Sequence, residues 1–267
     1  MEYGFVKVAS AVPTVKVADC RHNAGQMAEM IADAANQNVE IIIFPELSIT
    51  GYTCGDLFAQ SVLLEEAEKS LEWLVAETQS LPVISIVGIP HPHNGSLINA
   101  AVVFQSGKIL GVVPKTFLPN YKEFYEKRWF ASALQTPECV TSICGQRVPM
   151  QRDMLFATSN TTFGVEICED LWSTIPPSSF LSLEGAEIVF NMSADNDCVG
   201  KHSYLRNLVK QQSARCIAGY VFSSCGFGES TTDVVFAGNG LIYENGNQLA
   251  HNDRFSFEEQ LIISEID

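Results

Sequence analysis

One short segment, Val39–Phe44 (VEIIIF), constrains the fold more than any other part of the chain. An apolar run of this kind is typical of a strand buried on both faces, as in sheets that helices cover on each side. A β-branched segment, Phe5–Val12, and apolar residues at helical spacing over 27–35 precede it, and the amphipathic segment Leu63–Gln79 follows it. The order strand, helix, strand and helix predicts an α/β protein.

The remainder of the chain contains more predicted strands than helices. A long loop spans Pro114–Phe130, and one further helix is predicted over His202–Ala218. No linker and no internal repeat divides the sequence, so we expect a single domain over residues 1–267, an α/β sandwich of two mixed sheets with helices outside. The further predicted strands are Val83–Ile89, Leu97–Phe104, Lys108–Val113, Thr161–Ile167, Glu187–Asn191, Gly219–Ser224, Asp233–Ala237, Leu241–Glu244 and Gln248–His251.

Composition excludes several classes of partner. The chain carries 16 Lys and Arg against 31 Asp and Glu, a net charge of −15, which disfavours nucleic acid and anionic membranes. No apolar run is long enough to span a bilayer, and residues Met1–Ser10 contain Glu2 and Lys7 and lack the apolar core of a secretory signal. The eight cysteines form no C-x-x-C pair, so we expect no metal site and reduced thiols in a cytoplasmic protein. Small molecules and other protein chains remain as the expected partners.

Three segments place reactive side chains where predicted strands end. They are Phe44-Pro45-Glu46, Pro114-Lys115 and Ile167-Cys168-Glu169. Catalytic groups of α/β sheets gather at the carboxyl ends of the strands. A buried carboxylate could take the thiol proton, and a lysine could stabilise an oxyanion, so the trio could attack an amide or nitrile carbon through a thioester without metal or redox cofactor.

Spacing alone does not establish this site. With eight cysteines, one at a strand end is expected by chance. Glu46 could equally be a turn carboxylate or a helix cap, and Lys115 could be solvated. The residue pattern therefore leaves both interpretations open.

The segments around these residues are more specific. They are IIIFPELSITGYTCGDLF (41–58), PKTFLPNYKEFYEKRWF (114–130), FGVEICEDLW (163–172), KHSYLRNLVKQQSARCIAGYVF (201–222) and GESTTDVVFAG (228–238). In these segments the chain resembles the nitrilase (carbon–nitrogen hydrolase) superfamily with its Glu-Lys-Cys triad, and most closely the glutaminase domain of glutamine-dependent NAD synthetases. The resemblance covers essentially the whole chain and implies a four-layer α-β-β-α sandwich.

The resemblance also implies roles for individual residues. Glu46 matches the general base, Lys115 the lysine that steadies the tetrahedral intermediate, and Cys168 the nucleophile. The N–H group of Glu169 would be the second oxyanion donor, and its side chain a contact for the substrate's amino group. Tyr121 matches a tyrosine that lines the glutamine pocket.

Three further positions follow from the same resemblance. Tyr52 matches a tyrosine close to the base, and either Glu123 or Glu126 should be a supporting carboxylate. The family usually has a small hydroxyl residue in the loop after the strand ending at Asn191 and a basic residue six positions later. Here Lys201 is the basic residue, but the earlier position is Asp195, which could accept from the substrate's ammonium or repel its carboxylate.

The implied reaction is hydrolysis of L-glutamine, with the ammonia used by a synthetase domain that amidates deamido-NAD with ATP and Mg²⁺. The glycine-rich phosphate loop of that domain (SGG-x-DS) is absent from this sequence, so we expect the synthetase part in a longer protein or a separate chain. The domain itself should need no cofactor, and the family suggests a homo-oligomer.

Two alternatives stay open. One is a stand-alone amidase or nitrilase that acts on another small amide, and the other is an inactive structural or regulatory subunit. Two smaller features have simpler expectations. No metal site is expected at His91-Pro92-His93, since no carboxylate or third histidine lies nearby and the Asn-Gly that follows indicates a loop. The basic cluster Lys122, Lys127 and Arg128 could be solvated or could meet a partner domain.

Overall fold

The computed structural model describes residues 4–136, 138–229 and 233–267. The helices are α1 (Cys20–Asn36), α2 (Ser61–Glu77), α3 (Glu169–Trp172), α4 (Pro177–Leu183) and α5 (Lys201–Cys216). The strands are β1 (Val6–Val12), β2 (Ile41–Ile43), β3 (Ile84–His93), β4 (Ser96–Gln105), β5 (Lys108–Pro114), β6 (Cys139–Ile143), β7 (Gln146–Met150), β8 (Leu155–Ala157), β9 (Thr162–Ile167), β10 (Ile188–Ser193), β11 (Gly219–Ser224), β12 (Gly240–Glu244), β13 (Asn247–His251) and β14 (Gln260–Ile266).

These strands form two mixed sheets. The described residues give an eight-stranded sheet in the order β14-β1-β2-β3-β4-β5-β7-β6 and a six-stranded sheet in the order β13-β12-β11-β10-β9-β8. Each sheet has a parallel centre, β1-β2-β3 in the first and β9-β10-β11 in the second. The expected sandwich of two mixed sheets with helices outside is confirmed.

Side-chain alternation in the strands creates the layers. Ile41 and Ile43 of β2 point into the core between the sheets, whereas Ile42 packs into the core under α1 and α2. In the second sheet, Phe190 faces the first sheet and Val189 packs towards α5. An apolar strand that serves two cores explains why VEIIIF lacks polar alternation.

Several boundaries differ from the predictions. β3 continues through Pro90 and Pro92 to His93. The two prolines lack an N–H group, but the parallel neighbour β2 pairs with β3 only as far as Ile86, so the ladder between these two strands does not need those donors. The predicted strand Asp233–Ala237 is wrong as a strand, since only Phe236 forms a bridge, to Asn196 in the loop after β10. The pattern did not predict β6, β7, β8, β14 or the short helices α3 and α4.

The carboxyl ends of β2 and of β9–β11 lie at one edge of the sandwich, and the chain leaves β5 at the same edge. This is visible in the hydrogen bond from Glu46 N after β2 to Ser193 O at the end of β10, at 3.2 Å. The topology therefore brings together the three loops that sequence analysis selected.

Candidate active site

Glu46 lies in a tight turn directly after β2, and its side chain is completely buried. The next residue, Leu47, has a left-handed backbone (φ 51°) and lies against Gly88 of β3. A Cβ atom at Gly88 would be 2.2 Å from the Leu47 nitrogen, closer than any real contact. Glycine at position 88 is therefore what lets this turn reach into the sheet edge.

Lys115 follows β5 and is also completely buried. Its Nζ donates to Glu46 Oε1 at 2.5 Å and to Glu126 Oε1 at 2.7 Å. Burial alone would lower the pKa of Lys115, but Glu126 and Glu46 raise it well above its ordinary value, so the residue is an ammonium. The Lys115 ammonium thus binds the carboxylates of Glu46 and Glu126 at the same time.

Glu46 retains a free acceptor beside this pair. Its Oε1 also accepts from Asn99 Nδ2 at 2.6 Å, whereas its Oε2 is buried and has no hydrogen-bond partner in the described part of the chain. A buried carboxylate oxygen without a donor can accept a proton from a reacting group.

Of the two candidates for the supporting carboxylate, Glu126 contacts Lys115 and Glu123 does not. Glu126 Oε1 also accepts from the hydroxyl of Tyr52 at 2.8 Å. Burial raises the pKa of Glu126 to about 7, although Lys115 lowers it. Glu123 lies farther out and accepts from Asn196 Nδ2 at 2.6 Å.

Cys168 directly follows β9 and has a backbone conformation (φ 49°, ψ −101°) that is strained for a residue other than glycine. The chain leaves the strand at this residue. Burial raises the pKa of its thiol well above the ordinary value, Glu46 raises it further, and Lys115 lowers it. The resting group is a thiol, which needs a base before it can attack.

The backbone around Cys168 offers one oxyanion donor. The N–H of Cys168 already donates to Met192 O at 2.8 Å. Glu169 opens α3, and the first N–H groups of a helix have no acceptor within it. Of these two amides, that of Glu169 is the one available to a developing oxyanion.

Asp170, to which the sequence pattern gave no role, joins the loops that carry Lys115 and Cys168. Its buried carboxylate accepts the N–H of Phe117 at 2.7 Å, of Ile167 at 2.9 Å and of Thr116 at 3.2 Å. A carboxylate in the first turn of a helix was the available signal, but only the fold shows what it contacts.

Glu229 is a second carboxylate that the pattern missed. It accepts the N–H of Tyr52, and Thr53 donates to it from the backbone at 3.1 Å and from the hydroxyl at 2.7 Å. Burial raises its pKa. Glu229 thus fixes the segment whose tyrosine contacts Glu126.

The outer part of the site carries the remaining predicted residues. Tyr121 is half exposed, and its hydroxyl donates to Glu169 at 3.0–3.1 Å. Asp195 forms an ion pair with Lys201, whose Nζ also donates to Asn196 Oδ1 at 2.7 Å. The ammonium lies 5.2 Å from the ring centre of Trp172.

A cavity of about 540 Å³ adjoins the site on the Tyr52 side. Aromatic rings form much of its wall, among them Phe124, Trp129 and Phe236, and Glu123 lies at its edge. Lys122 also lines it, whereas Arg128 of the same basic cluster is paired with Asp56.

The His-Pro-His segment lies elsewhere. His91 Nε2 and His93 Nδ1 both hydrogen-bond Thr141 Oγ1, at 2.8 and 3.2 Å. Within residues 4–136, 138–229 and 233–267 no three His, Cys, Asp or Glu side chains are grouped to hold a metal ion. No helix among these residues combines the length and apolar character needed to cross a membrane.

Comparisons with known proteins agree with this geometry. The family model described as carbon-nitrogen hydrolase matches residues 7–267. A glutamine-dependent NAD(+) synthetase of Mycobacterium tuberculosis is 36% identical over 269 residues, which is 100% of this chain and 40% of that protein. One from Acinetobacter baylyi is 30% identical over 98% of this chain and 44% of that protein. This chain therefore spans about two fifths of the length of such relatives.

Solved structures show the same fold. The glutamine-dependent NAD(+) synthetase of Cytophaga hutchinsonii superposes with a TM-score of 0.89 and 28% identity over 98% of this chain and 43% of that chain. An amidase of the nitrilase superfamily from Nesterenkonia superposes with a TM-score of 0.75 and 17% identity over 97% of this chain and 90% of that chain. The second likeness concerns the fold alone.

Proposed function

The chain belongs to the carbon–nitrogen hydrolase family, and we propose that it hydrolyses the side-chain amide of L-glutamine through a thioester on Cys168. The observation that carries the proposal is the buried cluster in which Lys115 joins Glu46 and Glu126 while Oε2 of Glu46 stays without a donor. Such a cluster supplies a base and an oxyanion-stabilising cation at one point.

The reaction begins at the Cys168 thiol. Glu46 takes its proton, and Sγ forms a bond to the amide carbon as the carbonyl electrons move to oxygen. The resulting oxyanion is held by the Lys115 ammonium and the N–H of Glu169. Glu46 returns its proton to the amide nitrogen, the carbon–nitrogen bond breaks, and ammonia leaves.

A glutamyl thioester then remains on Cys168. Glu46 takes a proton from water, whose oxygen bonds to the thioester carbon. The carbon–sulfur bond breaks as the thiol recovers the proton, and glutamate leaves. Both halves use the same residues, and neither consumes an oxidant, a metal or a nucleotide.

The names and lengths of the relatives support a wider role. We infer that the ammonia serves a synthetase domain, linked or separate, that amidates deamido-NAD with ATP and Mg²⁺. The same proposal includes a glutaminase step without a cofactor, a homo-oligomeric assembly and a cytoplasmic location. All eight cysteines are free thiols, which is the usual state in a reducing cytoplasm.

The test compares three amides, L-glutamine, L-asparagine and a simple aliphatic amide, by product release and by mass spectrometry of Cys168. We expect glutamate release from glutamine and a glutamyl adduct on Cys168. Release from the aliphatic amide alone would favour a stand-alone amidase, and no adduct or turnover, even after addition of a synthetase domain, would favour an inactive subunit.

A labelling experiment identifies the nucleophile. A glutamine-mimicking diazoketone should modify the wild type once, and Cys168→Ala should abolish the label. Cys198→Ala is the matched control, because Cys198 is the exposed cysteine that an unselective reagent would reach. Labelling that persists in Cys168→Ala would remove Cys168 from the mechanism.

A further inference from the structure

Lys201, the cation of the ion pair with Asp195, lies at a position where a positive charge destabilises its own helix. Lys201 is the first residue of α5, after the left-handed Gly200. A positive charge at a helix N-terminus is unfavourable, because the helix dipole is positive there. Its placement is therefore explained by what the ammonium contacts and not by helix stability.

Two acceptors and two aromatic rings surround the Lys201 ammonium. Its Nζ contacts Asp195 Oδ1 and Asn196 Oδ1, and it lies 5.2 Å from the ring centre of Trp172 and 5.9 Å from that of Phe124. The side chain of Asp195 is only 6% exposed. The Lys201 side chain is 22% exposed, so a substrate carboxylate that approaches its ammonium meets the negative charge of Asp195 and competes with it.

Asp195 is held firmly in this position. Its backbone N–H donates to Ser224 Oγ at 3.0 Å, which ties the loop after β10 to the end of β11. The negative charge of Asp195 acts on Cys168 and on Tyr121, two residues of the proposed glutamine site. Asp195 is therefore part of the electrostatics of the substrate site.

We propose that Asp195 is a specificity-determining residue that occupies Lys201 as an internal carboxylate, so that the α-carboxylate of an amino-acid amide must compete with it. The inference rests on the proposed function. Asp195 thus lowers the affinity for glutamine, and protonation of Asp195 releases Lys201 for the substrate.

The charges around Asp195 set the direction of the pH effect. Lys201 approaches from α5, Glu169 from α3 and Asp197 from its own loop, while Glu123 reaches this loop through Asn196. Burial raises the pKa of Asp195 to about 6, Lys201 lowers it, and the two other acids raise it. Asp195 therefore gains its proton as the pH falls through about 6, and glutamine should then bind more tightly.

Binding isolates this effect from the chemistry. The protein is the full chain with Cys168→Ala, and isothermal titration compares L-glutamine with 4-aminobutanamide, which is glutamine without its carboxylate. At pH 7.5, adding Asp195→Asn should tighten glutamine binding about five- to tenfold, as expected for release of a partly buried pair, and should change the analogue less than about twofold. Asp195→Ser, as a second variant, should behave likewise.

Asp197→Asn is the matched control. It removes the same charge two residues away, but Asp197 pairs with Arg254 at 2.8 Å and not with Lys201. We expect no selective gain for glutamine. In the parent protein, glutamine binding should tighten between pH 7.5 and pH 5.5, and Asp195→Asn should remove that dependence.

Other outcomes overturn the inference. Weaker binding of both amides in Asp195→Asn would show that Asp195 receives the ammonium that they share, and an equal tightening of both would show that the carboxylate of glutamine is not what Asp195 opposes. If the wild type hydrolyses glutamine but Asp195→Asn changes nothing, the inference fails and the proposed function stands. If the wild type neither hydrolyses nor binds glutamine, both fail.

Discussion

Replacement of Asp170 tests whether one carboxylate holds the two loops that carry the proposed catalytic residues Lys115 and Cys168. Asp170→Ala removes the acceptor of three buried N–H groups, those of Thr116, Phe117 and Ile167. Each orphaned buried donor costs about 1–3 kcal/mol, so the loss of all three should lower the free energy of unfolding by about 3–9 kcal/mol. Asp170→Asn keeps one acceptor oxygen and should lose about 1–3 kcal/mol.

Activity should fall for a different reason. Two of these donors directly follow Lys115, and Ile167 directly precedes Cys168, so the carboxylate sets the distance between ammonium and thiol. A displacement of about 1 Å at reacting groups can cost about 100-fold, and we expect a loss of that order in kcat for Asp170→Asn. Urea unfolding followed by tryptophan fluorescence, and glutamate release at saturating glutamine, give the two quantities.

The control is Glu166→Gln on the same strand end. Glu166 is also a buried carboxylate and accepts from Ser178 N at 2.8 Å, on the helix-facing side of β9. Its replacement should lower stability and leave kcat within about threefold of wild type, as expected away from the reacting groups. If Asp170→Asn loses stability but keeps kcat in the same way, the argument that Asp170 positions the triad is refuted.

Two further substitutions test the core of the site and its supporting turn. Glu126→Gln should lower kcat at least about tenfold, because Lys115 then pairs with Glu46 alone. Burial raises the pKa of Glu126 from 4.5 to about 7, so the protonated carboxyl stabilises the fold below pH 4.5 and this contribution is lost as the pH rises to about 7. The free energy of unfolding in urea should therefore fall over this range for wild type relative to Glu126→Gln. Parallel pH profiles of the two proteins would contradict this. Gly88→Ala should prevent native folding, judged by circular dichroism, because its Cβ meets the turn after β2 at 2.2 Å. Gly25→Ala in α1, where a Cβ meets open space, should stabilise by about 0.5–1 kcal/mol, and equal behaviour of the two variants would exclude the steric argument.

Local pattern was sufficient for the main architecture. The apolar run around β2 and the helical periodicity of α1 and α2 all depend on neighbours within a few residues. Such features predict a layered α/β sandwich, because each element carries the face that it buries. They cannot say which strands pair across the chain.

The elements that pattern missed depend on distant partners or on short length. β14 completes the first sheet by pairing with β1 at the opposite end of the chain, so its edge position is invisible locally. β7 contains Pro149, which weakens any strand prediction, and α4 has seven residues, about two helical turns, which is too short a segment to reveal a helical periodicity. The residues 230–232 of the segment GESTTDVVFAG lie outside the described residues.

The site was predictable only as far as its residues belong to recognisable segments. Resemblance selected Glu46, Lys115 and Cys168, and left Glu123 and Glu126 equal. The fold separates those two, because Tyr52 and Lys115 both reach Glu126 Oε1. The contact between Glu46 and Lys115 joins positions 69 residues apart, which no local pattern can specify.

The arrangement of carboxylates suggests how the site depends on the whole edge of the sandwich. The loops of the candidate site are fixed by side chains from other loops. Asp170 holds the loop after β5, Glu229 holds the segment after β2, and the tyrosine of that segment then holds Glu126. A change in the loop that carries Glu229 therefore has a continuous path of hydrogen bonds, through Tyr52 and Glu126, to the ammonium of Lys115. Because Glu126 and Lys115 on that path are buried, a displacement of Tyr52 with the Glu229 loop would remove a hydrogen bond from Glu126 beside the Lys115–Glu46 pair. Reactivity at Cys168 should therefore follow the position of this loop more closely than overall stability does.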